Sequence, residues 1–299
     1  MGKNSDIIQF DKVKDFNPEH IFDCGQCFRW EPVDEEEPQG AWQGIAGDRA
    51  ATIEYDSDKE VLTIYPGRKE DREFWRKYFD LDRDYGVIKQ RLSENDPVMT
   101  KAIEAGGGIR ILNQDRWETL VSFIISQNNN IPRIKKCINS LAEVLGEPIG
   151  KASDDDKTIY ALPAPEVLAR ATEEDLAPCR LGYRAGYLIE AAGQVVEETA
   201  DMEALADEDI SAEDAAESLR GFCGVGPKVA NCVALFCLGK VDCFPLDVWM
   251  KRVMNKLYGI PEKDVGAMAE YAREHFSPYG GIAQQYLFYY ITHNFTGDE

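Results

Sequence analysis

Two side chains of this 299-residue sequence could carry out covalent chemistry together: a lysine, and an aspartate nineteen positions later. Lys228 lies just inside a predicted helix, and Asp247 begins another in FPLDV. If the two helices pack antiparallel through the short connection from Gly239 to Phe244, the amine and the carboxylate come close together. Such a pair could open a glycosidic bond, the amine attacking the sugar carbon and the carboxylate stabilising positive charge. Spacing alone equally allows a lysine that contacts phosphate and an aspartate that caps its helix.

The segment LRGFCGVGPKVA, residues 219–230, contains this lysine and has the pattern of a helix-hairpin-helix. One helix ends near its first glycine, a tight turn follows, and a proline lies near the start of the second helix. The glycines let backbone N–H groups project toward a phosphate without the help of a side chain. We predict that the hairpin spans about residues 212–238 and binds phosphate through Gly224, Val225 and Gly226, in preference to a helical hairpin whose glycines only cap.

The elements that must position these residues divide at three glycines, residues 106–108. Before them, the segments QCFRWEPV, AWQGIAG, AATIEYD and EVLTIYP mix β-branched and aromatic residues with polar ones, which predicts an antiparallel sheet with one wet face. Helical patterns follow in REFWRKYF and DYGVIKQRL, and beyond the glycines nearly every segment has helical spacing. The expected fold is α+β, with an N-terminal domain at residues 1–107 and an all-helical domain at residues 108–299.

Composition excludes several classes of protein. No apolar run approaches the length of a bilayer span, and the N-terminal MGKNSDIIQF lacks the apolar core of a signal peptide. We therefore expect no secretion or transmembrane signal, and a cytoplasmic, nucleoid-associated protein if the source is a prokaryote. The eight cysteines do not form a disulfide-dense pattern, and the CxxC of Cys24 and Cys27 lacks the second pair that a zinc site needs. No metal site is expected.

The net charge of −21, from 54 acidic and 33 basic residues, has the wrong sign for a protein that binds nucleic acid. The charge is unevenly distributed, however. Residues 197–217 hold ten acidic side chains and no lysine or arginine, whereas residues 220–260 hold six basic side chains and two acidic ones. Because salt screens each charge beyond about 10 Å, a DNA-binding face needs only local positive potential. The net negative charge therefore does not exclude binding to DNA.

Residues 221–252 resemble the helix-hairpin-helix-Gly-Pro-Asp superfamily of DNA glycosylases, whose Gly-Pro-Asp element is retained here as Pro245-Leu-Asp247. Within that superfamily, further segments resemble the 8-oxoguanine DNA glycosylase/AP lyase family. They are CGQCFRW (24–30), GIRILNQDRWETL (108–120), SFI (122–124), NNNIPRI (128–134), LGYR (181–184) and QQYLF (284–288). They occur in the family's order along nearly the whole chain, and the resemblance implies a TBP-like N-terminal β domain before the helical one.

The resemblance implies a bifunctional enzyme of base excision repair that flips 8-oxoguanine out of duplex DNA and excises it. Lys228 would be the nucleophile that forms a Schiff base, and Asp247 would be its carboxylate partner. Duplex DNA is the expected partner, no membrane partner is expected, and the protein is expected to act as a monomer. No cofactor is implied, although the carbonyl groups of the hairpin could hold a structural monovalent cation.

The resemblance also assigns the residues that recognise the lesion. Gly25 would present its carbonyl oxygen to N7, which accepts a hydrogen bond in guanine but carries a proton in 8-oxoguanine. Phe288 and Cys232 would stack on the two faces of the extruded base, and Gln284 would read its Watson–Crick edge. Gln284 and Phe288 are four residues apart and so share a helix face. Without the resemblance, Phe288 and Cys232 look like core residues, because their segments have the composition of buried helices.

Four further residues would act on the DNA rather than on the lesion. Tyr183 would wedge into the stack after base flipping, while Asn128, Arg133 and Arg184 would contact the orphaned cytosine. Arginine donors suit the acceptor atoms of cytosine, so we expect a preference for cytosine opposite the lesion. Without the resemblance, the asparagine run is equally a helix cap and GYR a helix start.

Three alternatives stay open at this point. The enzyme could process oxidised pyrimidines or misplaced adenine, but many such relatives carry a four-cysteine iron–sulfur loop, and no cysteine follows Cys243 here. The chain could be a non-catalytic DNA-binding module, or a scaffold whose acidic segment recruits partners. Two residues also depart from the family pattern: Trp249 replaces a common histidine, and Pro227 replaces a more usual polar residue before the lysine.

Overall fold

The N-terminal part of the chain contains a five-stranded antiparallel sheet. A computed structural model describes residues 7–33, 40–151, 158–198 and 201–294. The strands lie in the order β1-β5-β4-β3-β2 and are β1 (Ile8–Phe10), β2 (Trp30–Pro32), β3 (Trp42–Ala46), β4 (Arg49–Asp56) and β5 (Val61–Tyr65). The β-branched side chains of Ile53 and Ile64 are partners across β4 and β5 and are fully buried, which fixes the register of the sheet.

The sheet shares an aromatic core with the first two helices, α1 (Pro18–Phe22) and α2 (Arg72–Tyr78). Trp30 stacks on Phe22 with their ring centroids 4.4 Å apart, and its indole N–H donates to the hydroxyl of Tyr78 at 2.9 Å. Phe22 ends α1 and Trp30 begins β2, so this cluster fixes both ends of the loop at residues 23–29. That loop carries Gly25.

Helices dominate the described residues after the sheet. They are α3 (Tyr85–Ser93), α4 (Pro97–Gly106), α5 (Arg116–Ser126), α6 (Ile131–Leu145), α7 (Pro165–Leu168), α8 (Arg184–Val196), α9 (Ala212–Leu219), α10 (Pro227–Cys237), α11 (Val248–Tyr258), α12 (Val265–Phe276) and α13 (Gly280–Asn294). Many begin at an aspartate, asparagine or serine whose side chain accepts from a backbone N–H of the first turn. In the described part of the chain, no helix is long and apolar enough to cross a bilayer.

The helix that carries Lys228 lies at the centre of the helical core. Eight residues of α10 are buried, and the helix packs against α5 and α9. Phe236, near the end of α10, stacks on Phe123 of α5 with ring centroids 5.4 Å apart. Burial on several sides leaves α10 little freedom to move. The amine at its first turn is therefore mounted on a rigid element.

The predicted α+β fold class is confirmed, but some elements differ from the sequence-based expectation. The first predicted strand, QCFRWEPV, contains only β2, because residues 23–29 form a loop. The chain beyond the glycine run also contains a two-stranded hairpin, β6 (Pro148–Lys151) and β7 (Thr158–Tyr160), which was not predicted. The division of the chain at residue 107 stays a prediction.

The glycine run at residues 106–108 allows close packing at the predicted boundary. A Cβ atom at Gly108 would lie 2.4 Å from Cβ of Asn17, and the N–H of Gly108 donates to Nδ1 of His20 at 3.2 Å. Gly106 is the last residue of α4, and a Cβ there would lie 3.2 Å from the ring of Tyr289. These glycines let the chain that leaves α4 pack closely against α1 and α13.

Glu118 of α5 joins the helical core to the sheet, because the N–H of Gly47 donates to its carboxylate at 3.0 Å. Burial raises the pKa of Glu118 from its ordinary 4.5 to about 7, although the positive charge of Arg29 opposes the rise. Between these two values the unfolded chain loses this proton while the folded protein keeps it. The contribution of Glu118 to stability therefore falls as the pH rises from about 4.5 to about 7.

Replacing this carboxyl group should change how stability depends on pH. Glutamine keeps the acceptor for the N–H of Gly47 and carries no charge. The melting temperature of Glu118→Gln, compared with that of the native protein, should therefore be higher at pH values at which the native Glu118 is ionised. We expect the melting-temperature difference between variant and native protein to be about 2–4 °C larger at pH 8 than at pH 5. Thermal unfolding followed by circular dichroism measures it, with the exposed Glu104→Gln as control. An equal difference at both pH values would contradict the assignment.

Candidate active site

The turn between α9 and α10, residues 220–226, is the tight connection of the predicted helix-hairpin-helix. Gly224 has a φ of +78°, and a Cβ there would lie 2.7 Å from the ring of Tyr187. Val225 is buried, whereas Gly226 precedes the first turn of α10 with no other atom within 4 Å of its Cβ position. Gln194 of α8 braces the turn with two hydrogen bonds to its backbone. The start of α10 is therefore open to a phosphate group.

Substitution of these two glycines by alanine should have different effects on the stability of the protein. Gly224→Ala should destabilise the protein by about 1–3 kcal/mol, because the new Cβ requires a strained φ and meets Tyr187. Gly226→Ala should leave stability nearly unchanged, because its φ is −89° and its Cβ position is free. Denaturant unfolding of both variants measures the difference. Equal losses of stability would show that the hairpin does not hold Gly224 as described.

Lys228 lies in the first turn of α10, half-buried and next to neutral groups. Its Nζ is 3.4 Å from Oγ of Ser126 and 5.0 Å from the ring centroid of Phe123, and it interacts with the thiol of Cys232 one turn later. Within the described ranges, none of the ion pairs closer than 4.0 Å includes this amine. No carboxylate of the described residues is therefore bound directly to the amine.

Asp247 caps α11, and its Oδ1 accepts from the N–H of Met250 at 2.8 Å. It also lies within electrostatic range of Cys232, one turn after the lysine, since the charges of Lys228 and Asp247 both act on that thiol. Burial is the main reason why the pKa of Cys232 rises to about 11, with Lys228 opposing the rise and Asp247 adding to it. The thiol is thus neutral, and because Lys228 and Asp247 both act on it, we refer to the three side chains as one cluster.

The route by which Asp247 reaches this cluster differs from the one expected. The sequence suggested that α11 lies antiparallel along α10. Instead α11 packs mainly against α13, and residues 238–247 connect the end of α10 to the N-cap of α11, Asp247. This connection is anchored by Gly281 of α13, whose N–H donates to the carbonyl of Val241 at 2.8 Å.

Gly25 and Phe288 lie against each other despite their distance in the sequence. Gly25 has a φ of +74°, and a Cβ there would lie 3.2 Å from Cε1 of Phe288. One turn earlier on α13, Gln284 is buried, and its side-chain oxygen accepts from the amide of Gln285 at 2.8 Å. The loop after α1 and the face of α13 thus form a second cluster. A planar base could enter between Gly25 and Phe288 only if the ring moves aside.

The four residues expected to contact DNA lie around the loop between α5 and α6. Asn128 and Arg133 are exposed, and Tyr183 is 54% exposed at the N-cap of α8. Arg184 is placed differently from the expectation, because it is only 3% exposed. Its guanidinium donates to the carbonyl oxygens of Gln127, Asn128 and Leu181 and stacks on the ring of Tyr183. In this conformation Arg184 anchors the loop and faces no solvent.

The two departures from the family pattern are both exposed, each in the first turn of a helix. Trp249 is 41% exposed in the first turn of α11, and its ring lies 5.1 Å from the guanidinium carbon of Arg252. Pro227 is the first residue of α10, where a missing N–H costs no helical hydrogen bond. Neither residue interrupts the helix to which it belongs.

The two cysteines of the CxxC segment are buried in this fold. Cys24 and Cys27 are both buried and unbonded to each other, and burial raises the pKa of both thiols, that of Cys24 to about 12. Protonated buried thiols are poor ligands and poor nucleophiles. Among the residues that the structure describes, no group of three or more His, Cys, Asp or Glu side chains could hold a metal ion.

Sequence reasoning did not single out three residues of the site. Phe123 and Ser126 provide the neutral surface beside the amine of Lys228, and Gln26 is a fully buried polar residue beside Gly25. Gln26 and Phe123 lie within segments whose resemblance to the family was noted, whereas Ser126 lies between two of them. Their roles depend on contacts between distant parts of the chain, and no local pattern of spacing indicates such contacts.

A helix-hairpin-helix with a lysine in the first turn of its second helix and an aspartate nearby defines a class of DNA repair enzyme. Residues 121–278 match the HhH-GPD superfamily of base excision DNA repair proteins, and residues 7–120 match the N-terminal domain of 8-oxoguanine DNA glycosylase. The chain therefore belongs to the 8-oxoguanine DNA glycosylase family of N-glycosylase/DNA lyases, as its sequence predicted.

Individual relatives agree with this assignment. The N-glycosylase/DNA lyase of Saccharomyces cerevisiae is 34% identical over 264 residues, which cover 81% of this chain and 68% of that protein. The 8-oxoguanine glycosylase/lyase of Clostridium acetobutylicum, solved with DNA containing cytosine opposite 8-oxoG, is 39% identical with a TM-score of 0.88 over 97% of both chains. Its apo form is 40% identical with a TM-score of 0.86, covering 96% of this chain and 97% of that one.

Proposed function

We propose that this protein excises 8-oxoguanine from duplex DNA and then cuts the strand, with Lys228 as the nucleophile. The observation that carries the proposal is the position of the amine. It lies at the first turn of the hairpin's second helix, beside the ring of Phe123 and the thiol of Cys232, on which the charge of Asp247 also acts. A phosphate bound at the same helix start would bring a nucleotide of that strand close to the amine.

The chemistry requires a neutral amine and a carboxylate that stays charged. The lone pair of Nζ attacks C1′ as the glycosidic bond breaks, and the departing base takes up a proton. The sugar ring then opens at O4′, leaving an imine between Nζ and C1′. Loss of a C2′ proton expels the 3′ phosphate and cuts the strand. The carboxylate of Asp247 stabilises the positive charge that develops on the sugar.

The second cluster supports recognition of the base. The carbonyl oxygen of Gly25 can accept from N7–H of 8-oxoguanine, whereas it would repel the N7 lone pair of guanine. Phe288 would move aside and stack on one face of the base, with Cys232 on the other. Gln284 would exchange its hydrogen bond to Gln285 for bonds to the Watson–Crick edge.

The opposite base would be read at the loop between α5 and α6. Arg133 and Asn128 are exposed and can reach an orphaned cytosine, and Tyr183 can fill the gap that base flipping leaves. Arg184 would contribute only if the loop rearranges, because its donors are occupied by backbone carbonyls. We therefore propose a preference for cytosine that depends mainly on Arg133.

Duplexes that contain 8-oxoguanine opposite each of the four bases test this proposal. We expect base release and strand cleavage from the duplex with opposing cytosine, slower reactions with the other three, and a smaller cytosine preference for Arg133→Ala. Base release without strand cleavage would remove the lyase step. Absence of base release from all four duplexes would refute the proposed substrate.

A further inference from the structure

Gln26 has an unusual position for a polar residue, since it is fully buried directly beside Gly25. Its side-chain amide donates to the carbonyl oxygens of Ile21 and Arg110, each at 2.9 Å, and lies 3.2 Å from Sγ of Cys24. Its side-chain oxygen accepts from the N–H of Leu112 at 2.9 Å. Both N–H groups and the oxygen are therefore used, and removal of the side chain would leave buried backbone groups unpaired.

These bonds connect Gly25 to the segment that leads into α5. The side chain of Gln26 spans from the end of α1 to residues 110–112, and its backbone carbonyl accepts from the side chain of Gln114 at 2.7 Å. The side chain and the backbone of Gln26 are thus both bonded to the segment at residues 110–114. Gln26, the residue after Gly25, cannot shift without breaking some of these bonds.

The same segment is also bonded to the helix of the nucleophile. The backbone N–H of Gln114 donates to the carbonyl of Phe236 at 2.9 Å, near the end of α10. The ring of Phe236 stacks on Phe123, and Phe123 lies beside the amine of Lys228. A continuous set of contacts therefore runs from the loop of Gly25, through Gln26 and Gln114, to the helix that begins with Pro227 and Lys228.

We propose that Gln26 is a positioning residue, which together with Gln114 fixes the carbonyl of Gly25 relative to the amine of Lys228. This inference rests on the proposed function, because it assumes that Gly25 contacts the lesion. A displacement of about 1 Å at such a contact costs roughly 10²-fold in rate. The pair should therefore matter for excision of the base and not for cleavage at a site that has already lost its base.

The two activities of the enzyme separate positioning from a general structural role. Gln26→Met keeps the length of the side chain and removes its hydrogen bonds, and Gln114→Leu removes only one bond to the loop. In single-turnover assays we expect excision of 8-oxoguanine to fall about 10- to 100-fold for Gln26→Met and less for Gln114→Leu. Cleavage at a preformed abasic site should stay within about 2-fold, because it needs Lys228 and no base.

Asn113→Ala is the matched control, because Asn113 belongs to the same segment but donates to the carbonyl of Lys77 in α2, at 2.7 Å, and not to the loop. It should leave both activities unchanged. Equal losses of excision and abasic-site cleavage in the variants of Gln26 and Gln114 would overturn the positioning role, and so would unchanged excision in both.

If Gln26→Met does not fold, the positioning role is tested with Gln114→Leu alone. This variant should fold, because the side chain of Gln114 is only partly buried. Failure of the proposed function gives a different result, because the native protein itself would then not release 8-oxoguanine.

A second readout uses the Lys228→Gln background, in which binding can be measured without turnover. There Gln26→Met should reduce the preference for 8-oxoguanine over guanine duplexes about 10-fold or more and leave guanine binding unchanged.

Discussion

Lys228→Gln should abolish both base excision and strand cleavage, with a loss of at least about 10³-fold in single-turnover rate. Glutamine is close in size to lysine, so the packing against Phe123 and Ser126 should survive, whereas the amide nitrogen has no lone pair available for attack on C1′. The variant should still bind duplexes that contain 8-oxoguanine, because the hairpin and the second cluster are untouched. Rates measured with saturating enzyme separate this loss of chemistry from a loss of binding.

Lys101→Gln provides a control for the loss of a positive charge, since Lys101 is exposed on α4. It should leave excision and cleavage unchanged, and thermal unfolding should show that both variants are folded. A Lys228→Gln protein that retains native rates would mean that another group attacks the sugar. Such a result would leave the fold and the family assignment intact and remove the proposed nucleophile.

Asp247→Asn should reduce excision by about 10²- to 10⁴-fold without unfolding the protein. Asp247 has two roles, the cap of α11 and the carboxylate near Lys228. Asparagine caps a helix about as well as aspartate, so the substitution removes the charge and keeps the cap. The lost rate then measures the electrostatic role of the carboxylate at the sugar.

Asp264→Asn is the matched control, because Asp264 caps α12 and its Oδ1 accepts from the N–H of Ala267 at 3.0 Å. We expect unchanged rates for this variant and melting temperatures for both variants close to that of the native protein. A small effect of Asp247→Asn on rate, combined with a large loss of stability, would reduce Asp247 to a structural cap. Single-turnover excision and thermal unfolding together distinguish the two outcomes.

The sequence predicts those parts of the fold that depend on local patterns. β3 to β5 mix β-branched and aromatic residues with polar ones between turn-forming segments, and helices such as α2, α5 and α10 have apolar residues at helical spacing. The short elements were missed, because a three-residue strand such as β1 is defined by its pairing with β5 and not by its own sequence. The hairpin of β6 and β7 depends on such pairing as well.

The residues of the candidate site also fall into two groups, those that local patterns predict and those that depend on distant parts of the chain. The glycines of the hairpin and the helix caps follow from local conformational rules, so their positions could be predicted from the residue types. The placement of Arg184 could not, because its burial depends on carbonyl groups of a loop that lies more than fifty residues earlier. Gln26 is a similar case, since three of its bonds reach residues 110–114. Long-range polar contacts of this kind leave no periodic signal.

The most direct test of the central claim is to identify the residue that becomes attached to the sugar. The protein is incubated with a duplex containing 8-oxoguanine opposite cytosine in the presence of borohydride, which reduces an imine to a stable amine. Proteolysis and mass spectrometry then locate the adduct. We predict a trapped complex with the sugar on Lys228, and none with Lys228→Gln. An adduct on a different residue, or base release with no adduct at all, would contradict the mechanism.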